Sequence, residues 1–350
     1  MAAAFTPGDD ARTLWRRLGG ASVLRSLFPT EDPVDPSRLD DLLVELDSRM
    51  PLGTVLSVCV QVASVIPLLR IVAPDSAYAR EVLEQMLDGS AIVALAVTER
   101  GLSGAALLEA STEIADMGDH VTLNGEKEWI CNAGRCDYVL ALARHRPARH
   151  FTSFSWVLLR ADTPGVSWQP ATTLFPGAAL GHFRFADVRL ERQHVIGRQG
   201  RALAEFALQI GTERLAGALW ARALCRRVLA DTRHYLAGRS TGAATLWHNA
   251  AIRERFARCL VEFLQLDALC AIHGTHADDA ATAMLLKAAC AQSAEHILCE
   301  CVDLRGADAF RDDGVASVRE QAAMFGIAGG ATGAMLAGLA DHADELLEPR

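Results

Sequence analysis

Between Ile92 and about Arg189 the chain gives up the three-and-four spacing of apolar residues that governs both of its flanks. This change of period constrains the fold more than any other feature. Short apolar runs there are broken by turn residues, as in antiparallel strands: Ile92 to Val97, His120 to Leu123 before an Asn124-Gly125 turn, Tyr138 to Ala143, Phe154 to Leu159, and Gly181 to Phe185. Upstream, Leu14, Leu18, Val23 and Leu27 recur at helical spacing, Pro29 to Pro36 breaks the run, Asp35 or Ser37 caps a helix over Arg38 to Leu46, and Asp75 or Ser76 caps another reaching about Leu87. Downstream, from about Arg201 to Leu347, Ala-rich amphipathic runs are interrupted only at Gly238 to Gly242 and Arg305 to Gly314. Helices, strands and helices again, with no repeat or low-complexity linker, predict an α+β protein: an N-terminal helical domain over 1–95, a small antiparallel β domain over 96–200, and a C-terminal helical bundle over 201–350.

The remaining bulk features narrow the class. With 350 residues and 51% apolar content the chain can bury a large core. Its net charge is -9, and its 34 Lys and Arg residues are scattered rather than gathered in a stripe, which argues against nucleic acid and anionic membrane as partners. Nine cysteines, with no paired CxxC or matching His, are expected to be reduced thiols filling the core of a cytoplasmic protein, with no metal site. Met1 to Asp10 lacks the basic and apolar regions of a signal peptide. Pro51 to Leu69 is long enough to span a bilayer, but it carries Gly53, Ser57, Gln61, Ser64 and Pro67, so a buried core helix is the expectation.

The run AVTERGLSGAALLEASTEIADMGDHVTLNGEKEWICNAGRCDYVLALAR, Ala96 to Arg144, resembles the signature of the acyl-CoA dehydrogenase family. A strand ends in Thr-Glu, a Gly and Ser loop follows, and then come Asn-Gly-x-Lys, a Trp-Ile strand and a strand ending in Ala-Arg. FADVRLERQHVIGRQGRALAEF (Phe185 to Phe206) and TERLAGALWARALCRRVLADTRHYLAGR (Thr212 to Arg239) resemble the family's passage into its C-terminal four-helix bundle and the first long helix of that bundle. The resemblance covers nearly the whole chain and is weakest in the first 40 residues, where the family has another helix or more; this reads as a trimmed member.

What the resemblance implies is a flavoenzyme binding FAD. A flavin needs hydrogen bonds to its ring edge and a wall that holds the ring flat. By resemblance, Val97 and Thr98 meet the pyrimidine edge, while Trp129 and Cys131 flank the ring and its reactive nitrogen. Outside the motif, Trp129 would read equally well as a core aromatic. Cys131 stands where the family usually has Thr or Ser, and a thiol is the poorer donor. The family binds the diphosphate with an Arg closing the first long helix and a Gly-Gly turn of a neighbouring subunit, which here correspond to Arg239 and the Arg305-Gly306 turn. The pattern departs from the family on both sides: Ser240, Thr241 and Gly242 replace a Phe-Gly pair, and Arg305, Gly306, Ala307 and Asp308 replace Gly-Gly-x-Gly. Asp308 would repel a diphosphate unless it points away. A site shared across subunits implies a homodimer or homotetramer.

The family's reaction removes a proton α to a thioester carbonyl while the flavin takes the β hydride, so it needs a carboxylate in a water-poor pocket. Most members carry it near the C-terminus, where this chain has Ile327-Ala328-Gly329-Gly330-Ala331-Thr332, with Gly329 at the Glu position. A minority place it on the first bundle helix before an Arg, matching Glu213-Arg214, so Glu213 is the candidate base. The alternative is a first-turn carboxylate favoured by the helix dipole. The Gly-rich run Gly326 to Gly333 follows no strand and is not a dinucleotide loop. His248 and His342 are isolated, and no nucleophile set stands out. The expected function is dehydrogenation of an acyl thioester on CoA or an acyl carrier protein in a biosynthetic setting, with electrons passing to an acceptor protein or oxygen. The alternatives are a flavin monooxygenase on the same fold and an inactive partner subunit.

Overall fold

The computed structural model describes residues 9–29, 34–102, 104–274 and 279–348. Most of the first ten residues, the centre of the Pro29 to Pro36 break and Ser103 of the Gly and Ser loop lie outside them. Among the described residues, six α-helices precede the strands: α1 (Ala11–Gly20), α2 (Val23–Ser26), α3 (Pro36–Arg49), α4 (Leu52–Val60), α5 (Ile66–Val72) and α6 (Ala77–Leu87). Capping falls where short polar side chains can accept the first free N–H groups. Asp10 accepts from Thr13 N, Asp35 from the N–H groups of Ser37 and Arg38, and Ser76 from Ala79 N. A π-helical turn, Gln61–Val65, joins α4 to α5, and the run Leu52–Asp75 is long and apolar enough to cross a membrane; 78% of its most apolar window is buried inside the protein, as a core helix would be.

Among the described residues, eight strands form one sheet: β1 (Val93–Ala96), β2 (Glu113–Asp116), β3 (Val121–Ile130), β4 (Tyr138–Arg144), β5 (Phe154–Arg160), β6 (Val166–Pro170), β7 (Gly181–Leu190) and β8 (Val195–Ile196). Their order is β6-β7-β3-β2-β4-β5-β8, with β1 paired to β4. The ladders are antiparallel except that β1 runs parallel to β4, Val93 opposite Tyr138 and Ala96 opposite Ala141, and Glu113 of β2 meets Arg144 in parallel sense. β4 and β5 are buried along almost their whole length, which is why they read as unbroken apolar runs, whereas β7 has an exposed face and alternates. Their inward residues join Leu123, Phe183, Phe185 and Val188 in one core.

Asn124-Gly125 does not make the expected turn. Both residues lie inside β3, where the register against β7 slips between Leu123 and Gly125. Gly125 has φ +143°, and a Cβ there would come 2.6 Å from the Thr112 Cα. An Asn-Gly pair supplies the conformational freedom a bulge needs as readily as that of a hairpin turn.

After the sheet come α7 (Ala202–Gly238), α8 (Ala250–His273), α9 (Ala280–Arg305), α10 (Val315–Ala322), α11 (Thr332–Asp341) and α12 (Ala343–Leu347). The chain divides into two compact units, the first made of 1–39 and 49–213, the second of 40–48 and 214–350. Within the second, α9 packs against α8, α10 and α11. Residues 40–48 of α3 join that unit through charge: Asp47 accepts from Trp220 Nε1 at 3.2 Å and Arg227 Nε at 2.7 Å, and Asp40 pairs with Arg222.

Candidate active site

Three elements of the first unit carry the residues expected to face a flavin and a substrate: the end of β1, the end of β3, and α7 up to Glu213. Lys127 of β3 fixes the first of these. It is fully buried, and its Nζ donates to Val97 O at 3.1 Å and to Glu99 Oε1 at 2.7 Å. Glu99 also accepts from the N–H groups of Ser111 and Thr112. Burial alone would raise the Glu99 carboxyl, but the Lys127 charge and these hydrogen bonds outweigh it and bring it down to about 2. Burial lowers Lys127 to about 8 against the pull of Glu99. Glu128 N donates to Thr98 O at 2.9 Å, so the Val97-Thr98 segment is tied to β3 twice. The Thr98 hydroxyl has no hydrogen-bond partner among the described residues.

At the far end of β3 the register slips again, between Lys127 and Ile130, and Trp129 sits in the slip with φ +58°. A bulky residue in the left-handed region is strained, and bulges beside active sites re-aim side chains. The result is an indole 58% exposed, edge-on to His182 at 5.4 Å, with Trp129 N donating to His182 Nδ1 at 3.3 Å. This is not the core aromatic that the residue type by itself suggests. Cys131 is buried, and its thiol donates to Ala178 O at 3.6 Å; burial pushes it up to about 12. The thiol's hydrogen bond is therefore made within the chain. Asn132 follows at φ +65°, a conformation Asn tolerates.

Glu213 is partly buried on α7, and Ser64 Oγ, from the π turn, donates to its Oε2 at 2.8 Å. Cys59 lies fully buried on the preceding turns of the same helical run; burial pushes its thiol up, with Glu213 and Cys131 adding to the shift. In the second unit, Arg214 Nε donates to Gly329 O at 3.2 Å. Gly329 and Gly330 have φ +72° and +118°, and a Cβ on Gly330 would lie 2.7 Å from Met335 Cε. The segment where the resemblance leads one to expect a carboxylate is a left-handed turn that a side chain occupies only at a cost.

Also in the second unit, Arg239, Arg305, Gly306 and Asp308 are brought together, along with Tyr235 and Thr232, to which the sequence reading gave no such place. Tyr235 OH donates to Asp308 Oδ2 at 2.7 Å and to Arg305 O at 3.2 Å. Asp308 lies 3.7 Å from Arg239 Nη1, and Arg305 Nε donates to Thr232 Oγ1 at 3.0 Å. Asp308 points toward Arg239, so this corner is a partly neutralised pair rather than a bare cationic cradle.

The donor set at the ring end suits a flat heterocycle. An exposed indole is held in place by strained backbone, and a hydroxyl with no partner among the described residues stands at the end of β1, on a segment anchored by the buried Lys127. The diphosphate end suits it less well, because a carboxylate already engages one of the two arginines. Sequence reasoning passed over Lys127, Ser64 and His182. The signal for Lys127 was present, since a charge on the inward phase of an apolar strand needs a buried partner; Ser64 was read only as a polar interruption.

Two family models match the chain: Acyl-CoA dehydrogenase, middle domain, over residues 94–188, and Acyl-CoA dehydrogenase, C-terminal domain, over residues 199–343. The chain is similar to the acyl-[acyl-carrier-protein] dehydrogenase MbtN of Mycobacterium sp. (strain MCS), 26% identical over 309 residues that span 86% of this chain and 78% of the relative. It is similar to the mitochondrial long-chain specific acyl-CoA dehydrogenase of Mus musculus, 26% identical over 242 residues, 64% of this chain and 54% of the relative. Among solved structures, the FAD complex of PigA superposes with a TM-score of 0.85 at 18% identity, covering 95% of this chain and 89% of the other.

Proposed function

The chain belongs to the acyl-CoA dehydrogenase family, and from that membership we propose that it dehydrogenates an acyl thioester with Glu213 as the base. It is an FAD-dependent oxidoreductase. FAD, when bound, supplies the two-electron acceptor for the hydride that leaves the β carbon. The chain's own part is to hold that ring, to place the α carbon and to take the α proton. Thr98 and the backbone of Val97 offer the ring edge a hydroxyl and amide groups, and Trp129 offers it a flat wall. Lys127, itself paired with Glu99, keeps the Val97-Thr98 segment in place.

One observation carries the choice of base: Glu213 is partly buried and held at 2.8 Å by the Ser64 hydroxyl, a carboxylate in a fixed position and sheltered surroundings. The left-handed glycine at 329 supports it, since no second carboxylate stands at the other family position. Arg239 and Arg305-Gly306 are proposed for the diphosphate of a neighbouring subunit's FAD, which makes the working form a homodimer or larger. The acyl group is proposed to arrive on an acyl carrier protein, as in the name of the mycobacterial relative that spans most of this chain, and the nine free thiols suit a reducing cytoplasm.

The test is anaerobic mixing of the FAD-loaded protein with acyl thioesters on CoA and on holo acyl carrier protein. Flavin bleaching supports the dehydrogenase and identifies the carrier. Absence of bleaching, with oxygen consumed only when reduced flavin is supplied, replaces it with the monooxygenase reading. A colourless protein that takes up no FAD removes both.

A further inference from the structure

Between Thr54 near the start of the buried helical run Leu52 to Val72 and Arg70 near its end stand three polar side chains, Ser57, Gln61 and Ser64, each no more than 2% exposed. Their spacing of four and three puts them along one stripe of the helix. Burying three polar groups in a core is costly unless each is hydrogen-bonded, and apolar residues of similar shape would serve stability as well. Each of the three is bonded, and each to a different part of the site.

Ser57 Oγ donates to Asn132 Oδ1, and Asn132 Nδ2 returns a bond to Ser57 O at 3.1 Å. Asn132 is the residue after Cys131 and the third after Trp129, so this pair fixes the end of the flavin wall. The Gln61 amide binds both backbone groups of Val93: its Nε2 donates to Val93 O at 2.7 Å, and its Oε1 accepts from Val93 N at 3.0 Å. Among the described residues β1 has only β4 as a ladder partner, and Gln61 completes its other edge as a single residue of a neighbouring strand would. Val93 opens the strand that leads to Val97 and Thr98. Ser64 Oγ, in the π turn, donates to Glu213 Oε2.

We propose that Ser57, Gln61 and Ser64 form a positioning stripe that sets the flavin wall, the flavin-edge strand and the base in register on one buried helix, with Ser64 fixing the orientation of Glu213. The proposal rests on the reading of Glu213 as base and of the β1 and β3 ends as flavin contacts. Its content lies in separable effects. Ser57 and Gln61 act on flavin binding, and Ser64 acts on proton removal, although all three lie on the same helix at the same depth. A helix that only supported the fold would lose all properties together.

The test uses the full-length protein with Ser57→Ala, Gln61→Met, Ser64→Ala and Ser64→Thr. FAD affinity is read by fluorescence titration, together with the flavin absorption spectrum, apo-protein Tm and anaerobic bleaching by a thioester that reduces the parent protein. Ser57→Ala and Gln61→Met are expected to weaken FAD binding about tenfold and to shift the flavin bands, as loss of a buried hydrogen bond to the anchoring backbone would. Ser64→Ala is expected to keep FAD affinity and spectrum while bleaching slows about tenfold to a hundredfold at unchanged half-saturation, the scale of a hydrogen bond to a charged group. Ser64→Thr restores most of the rate. If Gln61→Met does not fold, Gln61→Asn, too short to bind both groups of Val93, takes its place.

Bleaching by Ser64→Ala at the parent rate overturns the proposal, as does FAD affinity falling alike in Ser64→Ala and Ser57→Ala, or unaltered FAD binding in Ser57→Ala and Gln61→Met. If no thioester bleaches the parent protein, the base reading fails by itself, and the FAD affinities of Ser57→Ala and Gln61→Met alone decide the stripe.

Discussion

Glu213 and Arg214 are adjacent in sequence, yet on a helix their side chains leave about 100° apart. Glu213 accepts from Ser64, and Arg214 donates to the carbonyl of Gly329. The pair is thus two devices: a held carboxylate, and an arginine that secures the left-handed turn at Gly329. Glu213→Gln should keep FAD bound and slow substrate-driven bleaching by about a hundredfold to ten-thousandfold, the range for loss of a general base; stopped-flow absorbance reads this directly. Placing the carboxylate back at 329 should not repair it. Gly329→Glu in the Glu213→Gln background puts a side chain at φ +72°, which costs about 1–2 kcal/mol for a non-glycine residue. A lower Tm with no recovery of bleaching is expected, whereas full recovery would mean that the turn accepts the base in either place. Trp129 is the other strained residue, and Trp129→Ala should relax the backbone while weakening FAD binding, read by equilibrium dialysis.

At the scale of elements, β3 carries most of the residues proposed for the ring end. Two slips of register divide it. Gly125 makes the first, and the second turns Trp129 outward. Between them stands Lys127, whose bonds to Val97 and Glu99 bind the β1 end to the Ser111-Thr112 segment. Glu99 titrates at about 2 when folded, against an ordinary 4.5, so its contribution to stability is present above about pH 4.5 and is lost as the pH falls toward 2. Glu99→Gln should therefore lower Tm at neutral pH and flatten the fall in Tm on acidification through that window. A variant whose Tm fell as steeply as the parent's would place the acid-labile group elsewhere. At the edge of the helical region, Ser76→Ala removes the α6 cap and should cost about 1 kcal/mol, without effect on flavin binding, by chemical denaturation.

For the whole molecule, ligand linkage gives the widest check on the flavin reading. FAD that binds only the folded state stabilises it by about 2.7 kcal/mol at a hundred times its dissociation constant. A rising Tm across an FAD titration is expected, and a flat one would count against both flavin readings. Self-association is open to measurement by light scattering. α8 leaves Val261, Leu264 and Ile272 more than half exposed, so Val261→Asp with Leu264→Asp should lower the mass if this face meets a second copy.

The order of helices, strands and helices and the flavin-enzyme family were both legible in the sequence, because the first rests on local periodicity and the second on a contiguous motif from Ala96 to Arg144. So was the vacancy at 329. The sequence did not disclose that Asn124-Gly125 bends a strand rather than closing a hairpin, because the same two residues serve either geometry and only the presence of β7 alongside decides between them. Nor did it disclose that Cys131 gives its thiol hydrogen to Ala178, that Asp308 turns toward Arg239, or that Ser57, Gln61 and Ser64 of one buried helical run reach Asn132, Val93 and Glu213. Those partners lie 47, 69 and between 32 and 149 residues away along the chain. Periodicity can say that Ser57, Gln61 and Ser64 share a face, but only packing brings Asn132, Val93 and Glu213 to that face.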